Sequence, residues 1–221
     1  MEPDAEDAAF LRRYGAWDPL DPGGAATLLA GFDRPWWIVG GWAIEAFTGV
    51  RRAHEDLDVS ILVCDVPALR SHVGGDWHLW SNLGGTLRPL TDRHPEPLAP
   101  DGQIWVRRSA ADPWVLDIPT TPDRDGLWTN KRLADHVAPV GDVTWRAADG
   151  LRYLLPEIVL CFKALQDRPK DRADLAATWP LLDETRRAWL RAALVAAYGD
   201  EHPWLPALQR DIPATPRPRA L

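Results

Sequence analysis

An α+β fold is what this sequence predicts: a small mixed β-sheet with flanking helices, followed by a helical lobe at the C-terminal end. Three observations lead there. Short apolar runs rich in Trp, Val and Ile recur between Trp36 and Ile118 at strand length. Amphipathic segments of helix length lie among and before them. From Leu154 onward helical periodicity takes over, in Leu154–Leu165 and again in Glu184–Tyr198. A cut near residue 150 is therefore expected, with residues 1–150 forming the mixed core and its N-terminal helices and residues 151–221 the helical lobe.

Each element has a local reason. Ala5–Tyr14 and Ala25–Phe32 read as helices separated by the turn-rich Asp18–Gly24. Trp36–Val39 reads as the first strand, Trp42–Phe47 as the helix after it, and Leu57–Cys64 as the second strand. Pro67–Val73 has proline where a first helical turn tolerates it. Trp77–Trp80, Gly85–Leu87, Ile104–Arg107 and Trp114–Ile118 are short strand candidates. Arg88–Gly102 holds four prolines and reads as a surface loop. The last residues, Pro213–Leu221, read as a loose tail.

The most informative stretch runs from Trp36 to Asp58. An apolar strand ends in Gly40-Gly41, where backbone N–H groups can approach an anion with no Cβ in the way, and a helix N-terminus follows. That suits a phosphate. After a spacer of fourteen residues, Asp56-Leu57-Asp58 opens the next apolar run, and the period of two directs both carboxylates to one side of a strand. Two hard oxygen ligands on one face suit Mg²⁺ bridging substrate phosphates. Downstream, Asp117 is the only ionisable residue in Trp114–Ile118. It either pairs with a basic neighbour at a sheet edge or joins the two upstream acids. Asp112, Asp123 and Asp125 lie in proline-rich loop text and read as turn residues.

These residues carry a resemblance. Gly-Gly, then Asp-x-Asp on a strand, then a lone Asp on a later strand resemble the nucleotidyltransferase superfamily that includes DNA polymerase beta. Gly40–Ala46, with Gly49, Arg52, His54 and Asp56-Leu57-Asp58, is more specifically similar to the aminoglycoside 2''-adenylyltransferase and lincosamide nucleotidyltransferase group of antibiotic-modifying enzymes. The close similarity covers about thirty residues, with weaker echoes to about residue 175.

The resemblance implies a nucleotidyltransferase core that uses one or two Mg²⁺ ions and ATP as donor, moving AMP to a hydroxyl of a small aminoglycoside-like acceptor. It implies Asp56, Asp58 and Asp117 as metal ligands, with Asp117 also as general base, and Gly40 and Gly41 as the seat of the β- and γ-phosphates. Arg51 and Arg52 are either solvated loop residues or triphosphate contacts. Lys163 enters because related enzymes pack this helix over the nucleotide and carry a lysine on it followed by Lys-Asp-x-x-Asp, here Lys170 to Asp174; the alternative is an ion pair with Asp171 or Asp174. His54 either buttresses Asp56 or is an exposed loop residue. One departure is Trp42, which stands where many superfamily members have Ser.

Composition narrows the partners. A formal charge of −7 and a pI near 5.3 disfavour a sequence-independent nucleic-acid binder and favour cationic small molecules. Cys64 and Cys161 lie in apolar runs and read as buried free thiols in a reducing compartment. With no signal-peptide pattern and no apolar run near the ~18 residues that span a bilayer, a soluble cytoplasmic protein is expected. The thirteen tryptophans are mostly strand or core residues, with Trp77, Trp80 and Trp128 as candidates for lining a ligand cleft. Two rival readings share the motifs: a toxin-type nucleotidyltransferase acting on tRNA, and a nucleotide-binding module without turnover.

Overall fold

The computed structural model describes residues 5–208, with side-chain surroundings from residue 8. Along the chain run α1 (Ala5–Tyr14), α2 (Pro22–Leu28), β1 (Trp36–Ile38), α3 (Gly40–Thr48), β2 (Val59–Ile61), α4 (Val66–Val73), β3 (His78–Leu83), β4 (Thr86–Pro89), β5 (Gln103–Arg107) and β6 (Leu116–Pro119). There follow β7 (Asp123–Arg124), β8 (Leu127–Thr129), β9 (Val137–Ala138), α5 (Val140–Val143), β10 (Thr144–Arg146), β11 (Arg152–Leu154), α6 (Pro156–Lys163), α7 (Pro169–Thr178), α8 (Glu184–Tyr198) and α9 (Leu205–Leu208). Among the described residues no helix is long and apolar enough to cross a membrane.

Two compact units result, and their boundaries differ from a single cut near residue 150. One holds the described residues up to Ile38 together with His54–Gly126; the other holds Val39–Ala53 together with the described residues from Leu127 onward. The helix after the first strand thus groups with the C-terminal helices, because α3 packs on α6 and α7. That apolar face was not visible as a domain signal in the sequence.

In the first unit β1 pairs antiparallel with β2, Ile38 opposite Val59. From there β2 runs alongside β6 through parallel bridges at Asp58↔Asp117 and Leu62↔Thr121. The remaining order is β4-β3-β5-β6, antiparallel throughout. Alternation along β5 sorts its side chains. Ile104 and Val106 are fully buried opposite Ile118 and Leu116, while Gln103, Trp105 and Arg107 take the other face. On that face Trp105 packs edge-on against Trp17, Tyr14 and Trp114, with centroids 5.1, 5.8 and 5.4 Å apart, and the Trp114 indole N–H donates to the Tyr14 carbonyl at 2.6 Å. Helix α2 starts three residues earlier than expected because Asp21 caps it, accepting from the Gly24 N–H at 2.7 Å, with Pro22 in the first turn.

Two expectations about single residues are corrected here. Cys64 is exposed rather than buried, because the strand ends at Ile61 and the chain turns into a 3₁₀ segment, Val63–Asp65, although the apolar run continues; the Cys64 N–H is taken by Asp123 at 3.2 Å. Trp128 is fully buried against His136, 5.2 Å between centroids, and lines no cleft. Cys161 is buried as expected, and burial pushes its thiol up to about 12.

In the second unit α6 is the central element, packed against α3, α7 and α8. β10 and β11 form an antiparallel ladder, Trp145 opposite Tyr153. Helix α8 opens on Asp183, which accepts from the Arg186 N–H at 2.9 Å. Glu157 is the strained member of this core. It is 6% exposed, burial pushes its carboxyl above the ordinary range, Arg186 offsets this only from 3.8 Å, and its Oε2 accepts no hydrogen bond among the described residues. A raised carboxyl favours the folded state at low pH, so stability is expected to fall as pH rises from about 4.3 through the raised native value. Glu157→Gln removes the buried charge and is expected to stabilise the protein by about 1 kcal/mol at pH 7, read as a higher melting temperature.

Candidate active site

The acids of the first unit are set by strand register. Asp58 and Asp117 are Cα partners in a parallel bridge, and the Asp117 N–H donates to the Leu57 carbonyl at 3.3 Å. Partners in a ladder share a face, so Asp58 and Asp117 stand side by side on two adjacent strands. Asp58 is half-buried and Asp117 is 5% exposed. Asp56 is exposed and lies in irregular chain ahead of the pairing, so strand geometry does not govern its direction. Among the described residues no group of three or more His, Cys, Asp or Glu is gathered so as to hold a metal ion by itself.

Asp117 is held by a polar chain that sequence reading missed. Gln103 Nε2 donates to Asp117 Oδ2 at 2.7 Å, the Gln103 carbonyl oxygen accepts from Asn82 Nδ2 at 3.2 Å, and Asn82 Oδ1 accepts from the Gly85 N–H at 3.0 Å. Gln103 lies on β5 next to Trp105, the register partner of Asp117, which places it diagonal to the acid. A glutamine heading an apolar strand was the available signal. The other loop acids take turn roles: Asp123 also accepts from the Gly126 N–H at 3.1 Å, and Asp112 accepts from the Ser109 hydroxyl at 2.6 Å.

In the second unit Gly40 opens α3 with φ +65°, a left-handed conformation that a side chain disfavours. Val39 precedes it in extended conformation and supplies no side-chain cap, so no capping side chain competes for the first helical N–H groups. The same helix carries Glu45, whose Oε2 accepts the Arg52 N–H at 3.2 Å and whose Oε1 is 4.0 Å from Arg51. Arg52 Nε sits 3.3 Å from Asp174, and an Nη donates to the Ala53 carbonyl at 2.8 Å. His54 is half-buried.

Lys163 ends α6 between two acids, with its ammonium 3.1 Å from Asp171 and 2.9 Å from Asp174. The ion-pair alternative weighed from the sequence is therefore present, with both aspartates. Arg168 completes the cluster, its Nε 2.8 Å from Asp171 Oδ2. Burial raises the Asp171 carboxyl, but hydrogen bonds from Arg168 and Lys163 and the lysine charge outweigh it and hold the group below the usual carboxylate range.

The aminoglycoside-2''-adenylyltransferase family matches residues 25–69. No curated protein matches the sequence. Among solved structures, the antibiotic-resistance factor ANT(2'')-Ia in solution superposes with a TM-score of 0.51 at 21% identity, over 78% of this chain and 88% of that one. ANT(2'')-Ia in complex with adenylyl-2''-tobramycin gives 0.49 at 19% identity, over 76% and 91%. The lincomycin-bound lincosamide adenylyltransferase LnuA gives 0.48 at 15% identity, over 72% and 97%. The chain thus has the fold seen in ANT(2'')-Ia, and its segment 25–69, which holds Gly40, Gly41, Asp56 and Asp58, is related to the aminoglycoside-2''-adenylyltransferase family.

Proposed function

We propose that the protein is a Mg²⁺-dependent adenylyltransferase that moves AMP from ATP to a hydroxyl of a small, cationic, aminoglycoside-like acceptor. The observation that carries this reading is the register partnership of Asp117 with Asp58, the latter lying in the segment that the adenylyltransferase family matches. Two adjacent carboxylates repel one another unless a cation or proton sits between them. They are too few to cage a metal alone, which fits Mg²⁺, an ion that keeps few protein carboxylates and completes its shell with water and substrate phosphates. Asp58 and Asp117, with Asp56, are the residues that would hold it. When bound, the ion supplies charge neutralisation for the triphosphate and for the leaving pyrophosphate.

The chain's own groups do the rest. Gly40 and Gly41 present backbone N–H donors to the β- and γ-phosphates, and the N-terminus of α3 adds its dipole. Asp117 takes the proton of the acceptor hydroxyl as that oxygen attacks the α-phosphorus, and the bond to the β-phosphate oxygen breaks to release pyrophosphate. Gln103 holds the Asp117 carboxylate in one orientation for that transfer. Arg52 contacts the triphosphate. Lys163, gripped by Asp171 and Asp174, ties α6 to α7. The negative overall charge favours a polycationic acceptor over tRNA, and an exposed thiol at Cys64 suits a reducing cytosol.

Nucleotide binding is expected to require a divalent cation, because the acids oppose a triphosphate and Mg²⁺ reverses the local field. Calorimetry with ATP checks this. Binding with Mg²⁺ and none with excess chelator supports the reading, whereas equal affinity in both contradicts it.

A further inference from the structure

A cavity of about 580 Å³ opens in the first unit, within the range of small-molecule sites. Neither Asp58 nor Asp117 lines it. Its walls include the indoles of Trp77 and Trp80 and the guanidinium groups of Arg70 and Arg107. The only acid in the lining is Asp92.

Arg107 is the informative residue. Its guanidinium lies 4.0 Å from the Trp114 ring centroid and 5.2 Å from that of Trp80. Its Nε is buried without a hydrogen-bond partner, and among the described residues no carboxylate stands within ion-pair distance. Burial correspondingly lowers its pKa. Two tryptophan faces attract the cation but offer no oxygen to its N–H groups. A half-buried guanidinium in that condition is a costly structural choice and an effective anion receptor. Arg70 adds a second one. Its Nη2 is 3.0 Å from Asp92, whose side chain is fully exposed, so that pair yields cheaply to a competing anion.

We propose that this cavity binds a small aryl phosphate, with the phosphoryl oxygens on Arg107 and Arg70 and the ring against Trp77 and Trp80. Two guanidinium groups match a phosphoryl group in charge and in hydrogen-bond geometry. The indoles give an apolar, polarisable wall suited to a flat ring. The cavity is independent of the transfer reaction proposed above. It is a second, anion-selective site on a protein whose overall charge is negative.

The test is calorimetry of the full chain with phenyl phosphate in excess chelator, so that no metal-assisted phosphate binding contributes. Inorganic phosphate and benzyl alcohol serve as partial ligands. Saturable binding of phenyl phosphate is expected, tighter than either partial ligand, weakened about ten-fold or more in Arg107→Met and unchanged in Asp58→Ala. Equal affinity of phenyl and inorganic phosphate overturns the ring contact. No saturable binding, or unchanged binding in a folded Arg107→Met variant, overturns the site. Should Arg107→Met fail to fold, the indole N–H resonances of Trp77 and Trp80 in the unmutated protein decide. They shift on titration with phenyl phosphate if the ligand is there, and stay in place if it is not.

Discussion

Replacing Asp58 by alanine is expected to lower nucleotidyl transfer by about 10³-fold or more, with the fold intact. Electrostatic stabilisation by a bound divalent ion is worth several kcal/mol in such a transition state, and each 1.4 kcal/mol is about ten-fold in rate. Asp58 is half-buried and stands beside Asp117, so its removal also relieves repulsion between like charges. The variant should therefore melt at the same temperature as the parent or above it, as is usual when a functional carboxylate is deleted. Asp117→Asn is expected to match it in rate loss while keeping the Gln103 contact available. Full activity in a folded Asp58→Ala protein removes the metal site from the account. Loss of activity together with loss of fold shifts Asp58 to a structural role.

The largest expected effect on stability lies in the second unit. Asp171 is fully buried and receives the Lys163 ammonium at 3.1 Å, two nitrogens of the Arg168 side chain and, through Oδ2, the Arg168 backbone N–H at 3.1 Å. The last contact closes the first turn of α7. Asp171→Ala strips one carboxylate from a buried ammonium and opens that turn. A loss of about 3 kcal/mol is expected, since breaking a buried pair from one side leaves the partner's charge uncompensated. Asp174 still faces Lys163, which keeps the loss from being larger. Chemical denaturation measures it, and a change under about 1 kcal/mol would show that the cluster holds little. The pH dependence follows in sign. The native carboxyl is held below its unfolded value, so its stabilisation is complete above about pH 4 and drains away as pH falls through the lowered native value.

Much of this architecture was readable from local rules. Ala5–Tyr14 and Glu184–Tyr198 appear in the structure at the bounds read from the sequence, and the strands from β1 to β6 fall within a few residues of their apolar runs. What was hidden is non-local. Segments of two or three residues such as β7, β8 and β9 are too short for periodicity to register, and exist only because a partner strand is in reach. The grouping of α3 with α6 and α7 depends on which apolar faces meet, which no window along the chain records. Cys64 shows the same limit: an apolar run predicts burial only while the backbone stays in the sheet.

The candidate site divides in the same way. The pattern Gly40-Gly41 and Asp56-x-Asp58 is local text, and Gly40 carries the positive φ that a glycine at that place serves. Asp117 was legible as a single acid in an apolar strand, and its pairing with Asp58 is a matter of register. Gln103 and Asn82 were not legible, because a relay of amides acquires meaning only when three strands set it diagonally against an acid. Arg52, Lys163, Asp171 and Asp174 were each visible as charges, whereas their closure into one cluster is a product of packing between α3, α6 and α7.

The central claim is adenylyl transfer to a small cationic acceptor, and direct label transfer tests it. The full chain is incubated with α-labelled ATP and Mg²⁺ and, in parallel, with a panel of aminoglycosides, with lincosamides and with bulk tRNA, against the Asp58→Ala variant. The account predicts labelled aminoglycoside and free pyrophosphate, dependent on Mg²⁺ and absent from the variant. Label on tRNA and on no small molecule, or no transfer to any acceptor, would contradict it.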